Sequence, residues 1–190
     1  MRVRQYTIKM IAGVVTITAL FRTPCYAFDG NLNTLNKTDK ALLIDDLSWK
    51  WLSEEERFEY TLKYVPQINR TLGVPTDTFP AQNIHMMEKS DPNYDRSCAY
   101  TDYGTKQIYL NMRNINQDAK GGWAALYALA HETQHLYQSR YKTLPNNPLA
   151  TIDNLEIYNS DPREADANEF AYHFATYILN CVGVEKIGQY

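Results

Sequence analysis

Two histidines four residues apart, with a glutamate just after the first, carry the strongest chemical signal in this 190-residue chain: His131-Glu132-Thr133-Gln134-His135. On a helix, four residues turn the second imidazole only about 40° from the first and lift it about 6 Å, so both rings can meet one metal ion. Neutral imidazoles suit Zn²⁺, and a carboxylate beside the first of them is placed to act as general base on a water.

A catalytic zinc takes three protein ligands and leaves a fourth position open, so a third donor is required. The metzincin extension of the motif would place Gly at 138 and His at 141, and the chain has Gln138 and Tyr141 there. The last predicted helix offers Glu164, Asp166 and Glu169. Glu164 is the favoured donor: it shares a helix face with Asn168, Ala171 and Ala175, small residues that would let this helix approach the histidine helix closely. Asn168 would then accept a hydrogen bond from the outer nitrogen of a ligand imidazole. Glu164 also lies three residues after Asp161, the spacing of a capping-box partner, which is its structural alternative. Glu169 and Asp166 are the rival ligands. His173, nine residues after Glu164, lies about 180° round the helix and reads as structural or surface. His85 has no partner visible in sequence, and Tyr158 and Tyr172 are the weak candidates for an oxyanion-stabilising hydroxyl.

The HETQH motif followed by Glu-x-x-x-Asn on a second helix resembles the gluzincin metallopeptidases, the group that includes thermolysin-like enzymes, and above all their minimal members. The resemblance covers roughly residues 84–183, with firm motifs at 131–135 and 164–171. It implies an α+β, zincin-like fold, in which a small antiparallel sheet packs on the active-site helix and a C-terminal helix. It further implies His131, His135 and Glu164 as zinc ligands, Glu132 as general base, Asn168 as partner of a ligand histidine, and an edge strand that binds an extended peptide.

The elements that must position these groups are legible in part. Ser53-Glu54-Glu55-Glu56 is a capping-box start, and Phe58, Leu62, Val65 and Leu72 continue at helical spacing until Gly73 and Pro75, with Pro66 expected to kink or divide the helix. The aromatic residues around it, Trp49, Trp51, Phe58, Tyr60 and Tyr64, read as core packing with half-exposed tyrosines rather than a binding strip. Short strands are expected at 84–87, 98–100 and 107–111, separated by turns at Asp91-Pro92-Asn93 and Asp102-Tyr103-Gly104. Gly121-Gly122 opens the histidine helix. Residues 141–160 lack periodicity and read as a loop of about 20 residues. Asp161-Pro162 is a cap followed by proline at the first helical position of the last helix.

Residues 1–27 have the form of a secretory signal peptide: Arg2, Arg4 and Lys9, an apolar run from Met10 to Phe21, and small residues at Cys25 and Ala27. The run is too short to span a bilayer comfortably, so no stable membrane span is expected after cleavage. Residues 28–50 would form an N-terminal arm and 51–190 a single metallopeptidase-like domain, secreted or periplasmic. Removing the leader's four basic residues leaves 15 basic against 22 acidic, a net of −7, which argues against nucleic acid as a partner. Cys98 and Cys181 would remain as a pair able to bridge in an oxidising compartment; two buried thiols are the alternative. The expected activity is zinc-dependent hydrolysis of peptide or protein substrates. The competing expectations are a catalytically silent zinc-stabilised binding or inhibitor module, and a secreted toxin protease with one specific target.

Overall fold

A computed structural model describes residues 46–117, 121–145 and 155–181. The expected signal peptide, the expected arm up to residue 45, and residues 146–154 of the expected loop lie outside them. The chain forms an α+β arrangement: helices α1 (Asp46–Trp51), α2 (Glu54–Leu62) and α3 (Val65–Thr71), strands β1 (Ile84–Met86), β2 (Ala99–Asp102) and β3 (Gln107–Leu110), then helices α4 (Met112–Gln117), α5 (Gly121–Tyr141), α6 (Leu155–Ser160) and α7 (Pro162–Cys181).

Ser53 caps α2 as its sequence requires: its hydroxyl accepts from the Glu56 amide at 3.1 Å, while the Glu56 carboxylate accepts from the Ser53 amide at 2.8 Å. Pro66 divides the predicted long helix, because its ring cannot follow a continuous helix and instead occupies the first turn of α3. Gly73 ends α3 with φ +72°, a conformation that costs an L side chain. Trp49 and Tyr64 are each 1% exposed in the core, whereas Trp51 is 85% exposed. The packed body therefore reaches into the segment assigned to the arm.

The sheet has the order β1-β3-β2 and is mixed, which corrects the antiparallel expectation. β2 and β3 form an antiparallel hairpin with Thr101 opposite Ile108, and β1 runs parallel to β3 with Ile84 opposite Ile108. The cause lies between β1 and β2. No tight turn joins them, and residues 87–98 carry the chain past the place that β3 later fills. Two asparagines pin this crossover: Asn111 donates to the Tyr94 carbonyl, and Asn114 donates to the carbonyls of Tyr94 at 2.8 Å and Ser97 at 3.1 Å. In the β2–β3 turn, Asp102 Oδ1 accepts from the amides of Gly104 and Thr105; the Thr105 side chain first, then these amides, hold its carboxyl below the usual range, and Lys106 takes the left-handed φ of 58°.

One face of the sheet, with Ala99, Ile108 and Leu110 at most 1% exposed, is part of the core around α5. Helix α5 is buried along most of its length, Ala124 to Leu129 forming its apolar half and the 131–135 motif its polar half. Its most extensive contact is with α7. There Ala167, Ala171 and Ala175 are fully buried, so the expected close approach of the two helices is made through small side chains. The expected loop of residues 141–160 is shorter than read, since Leu155–Ser160 is helical; six residues are too few to show a period.

Candidate metal centre

Each half of the site is built by local rules. On α5, the four-residue spacing stacks His131 and His135 one turn apart, their ring centroids 4.6 Å apart and nearly perpendicular. On α7, Asp161 Oδ1 accepts from the Arg163 amide at 2.8 Å, so the cap is self-contained and does not need Glu164. Glu164, in the first turn, reaches across to the histidines instead, which decides against its capping-box role.

The three donor atoms form a compact triangle. His131 Nε2 and His135 Nε2 are 3.0 Å apart, and each is 3.4 Å from Glu164 Oε2. Four-coordinate zinc with bonds of about 2.0–2.1 Å has ligand-to-ligand edges of about 3.3–3.4 Å, so the two edges to Glu164 match one face of such a tetrahedron and the imidazole–imidazole edge is about 0.3 Å shorter. The residues are 2%, 5% and 9% exposed. Glu164 Oε2 is buried with no partner closer than the two imidazole nitrogens at 3.4 Å, a polar atom aimed at the point both rings also face. These residues fit a divalent ion, and the cluster could hold one.

The electrostatics agree. Burial alone would lower the pKa of His135, but the Glu164 carboxylate, with further help from Glu132 and Gln138, outweighs it and raises the pKa to about 9. Burial would push Glu164 up, yet the two imidazoles hold it well below the usual carboxylate range. In the metal-free protein a proton therefore occupies the place a cation would take.

Glu132 is 5% exposed, and its Oε2 accepts a 2.7 Å hydrogen bond from the Thr101 hydroxyl on β2, one of the sheet's two edge strands. The same hydroxyl lies 3.1 Å from the Glu132 carbonyl. Asn168 is not where expected. Its Oδ1 accepts from the Tyr127 hydroxyl at 2.6 Å, and neither histidine uses it. The partner of His135 Nδ1 is Gln138 Oε1 at 3.0 Å, while His131 Nδ1 is buried with no partner. Asp166 is no ligand: it accepts from Gln134, from Gln138 and, as a salt bridge at 2.6 Å, from Lys142. Those bonds outweigh its burial and keep its carboxyl below the usual range. Glu169 is not part of the cluster, and His173 is exposed, as read. His85 packs against Tyr109 across the sheet, the rings tilted at 34°. Tyr172 is 55% exposed and turned toward Trp123 and His173.

The tyrosines that flank the triangle are others. Tyr127 stacks on His131 at 6.0 Å and Tyr103 meets His135 edge-on at 6.4 Å. Burial, then the charges of Glu164 and Glu132, push the Tyr127 hydroxyl up, so it stays protonated as a donor. Tyr127 was findable, since it precedes His131 by one helical turn; Thr101 and Tyr103 reach the site only through the hairpin, which no local pattern announces.

Comparisons with protein families, with curated proteins and with solved structures return no match. The geometry of the candidate cluster must carry the functional reading. Among the described residues, no helix is long and apolar enough to cross a membrane.

Proposed function

We propose that this protein is an exported zinc-dependent metallopeptidase of gluzincin type, with His131, His135 and Glu164 as ligands and Glu132 as general base. The observation that carries the reading is the donor triangle, sized for one zinc, with a buried carboxylate next to its first ligand in sequence. When bound, Zn²⁺ would polarise a scissile carbonyl and lower the pKa of a water.

The chain's own groups supply the rest. Thr101 holds one oxygen of Glu132, leaving the other to accept the proton of the attacking water and pass it to the departing nitrogen. Because Thr101 lies on edge strand β2, an extended peptide laid along that edge would bring its carbonyl to the carboxylate. Tyr127 lies beside His131, but its one hydroxyl hydrogen is donated to Asn168, so it would have to release that bond to donate to an oxygen that gains charge.

The test uses purified protein lacking residues 1–27. About one zinc per chain is expected, and Glu132→Gln should retain the metal while peptide hydrolysis falls by at least about 10³-fold, from loss of general base catalysis and water alignment together. Equal hydrolysis by that variant would overturn the mechanism.

A further inference from the structure

The two histidines have different surroundings behind the donor triangle, and the difference fixes the proton on one of them. Gln138, 3% exposed, sits three residues after His135 on α5. Its Nε2 lies 2.8 Å from the Arg163 carbonyl and 2.8 Å from Asp166 Oδ2, both on α7. A carbonyl and a carboxylate that is salt-bridged to Lys142 at 2.6 and 2.8 Å only accept. An amide group can ordinarily be placed either way round, but here only its NH₂ satisfies those two oxygens. Its Oε1 must then face His135 Nδ1, 3.0 Å away, and that nitrogen must carry the hydrogen.

We propose that Gln138 is a positioning residue that keeps a hydrogen on His135 Nδ1, so that Nε2 is the nitrogen left to give up its proton to an arriving metal. This rests on reading His131, His135 and Glu164 as a metal centre. His131 is left unset: its Nδ1 is buried without a partner. The clamp also reaches the third ligand, because Arg163 and Asp166 flank Glu164 in the first turn of α7. Orienting His135 and fixing the turn that carries Glu164 are thus one act, performed by an amide that does not titrate.

The experiment is histidine-¹⁵N NMR on metal-free and zinc-loaded protein, with zinc affinity measured by chelator competition. In the wild type, His135 should show a slowly exchanging Nδ1–H in both states. Gln138→Leu should lose that signal and bind zinc about 10- to 100-fold more weakly. Gln138→Glu keeps an acceptor oxygen toward His135 but sets a carboxylate against the Arg163 carbonyl and Asp166, so it should retain the Nδ1–H signal without recovering the affinity. An Nδ1 without hydrogen in the wild type, coordination through Nδ1, or unchanged zinc affinity in a folded Gln138→Leu protein would overturn the proposal. The wild-type spectrum decides the matter even if the leucine variant does not fold. Absence of zinc binding alongside an intact His135 Nδ1–H would end the metal reading and leave the tautomer assignment standing.

Discussion

A carboxylate and two imidazoles within hydrogen-bonding range of one another bind either a proton or a cation, and pH decides the competition. His135, raised to about 9 from an ordinary value near 6.5, contributes stability to the metal-free fold that is fully present below pH 6.5 and lost as pH rises through about 9. Glu164, depressed, contributes stability present above the ordinary carboxylate range and lost as pH falls toward its folded value. The melting temperature of metal-free protein should therefore decline between pH 6.5 and 9, and a His135→Gln variant should lose most of that slope. Over the same window zinc displaces about one proton, so its apparent affinity should rise about tenfold per pH unit, as chelator competition would read. Of the residues involved, His131, Glu132, His135 and Glu164 were legible because their types and spacing are the chemistry. Gln138 was passed over as merely the residue that excluded a longer motif, since a neutral amide has no signature until its partners are known.

At the scale of elements, the site depends on the approach of α5 and α7. Ala171 and Ala175 are fully buried in that contact. Ala171→Leu forces extra methylenes into a closed interface and should cost about 1–3 kcal/mol by denaturant melt, with weaker zinc binding as Glu164 is pushed back. Ser53→Ala, which removes only the cap of α2, should cost about 1 kcal/mol and leave zinc affinity unchanged. Caps, breaks and the alanine face were readable because each is written in residues a few positions apart. The parallel pairing of β1 with β3 was not, because it follows from a crossover that Asn111 and Asn114 secure through carbonyls 17 to 20 residues away. Short helices such as α4 and α6 escaped for want of length to show a period.

For the whole molecule, the proposed zinc site would make the ion bind the folded state and stabilise it by mass action. At free zinc about 100 times its dissociation constant the gain should be about 2.7 kcal/mol, so chelation should lower the melting temperature by several degrees, reversibly on readdition. The pairing of Cys98 with Cys181 falls on a side chain outside the described residues. What the sequence conveyed of the whole was the existence of two site-bearing helices and a small sheet between scaffold helices; it did not convey that the hairpin turn and edge strand wall the metal centre.

The donor set is split, two atoms on α5 and one on α7, and the helices meet through their own faces rather than through the chain that links them. Lengthening that link with a flexible insert costs a term that grows with the logarithm of loop length, so a doubling costs the fold only about 0.6 kcal/mol. Inserting 20 glycine and serine residues after Pro145 should accordingly leave zinc affinity unchanged within about twofold. The number of residues separating HETQH from Glu164 is then free to drift, and the three donor atoms would keep their triangle while a search built on fixed spacing passed the site by.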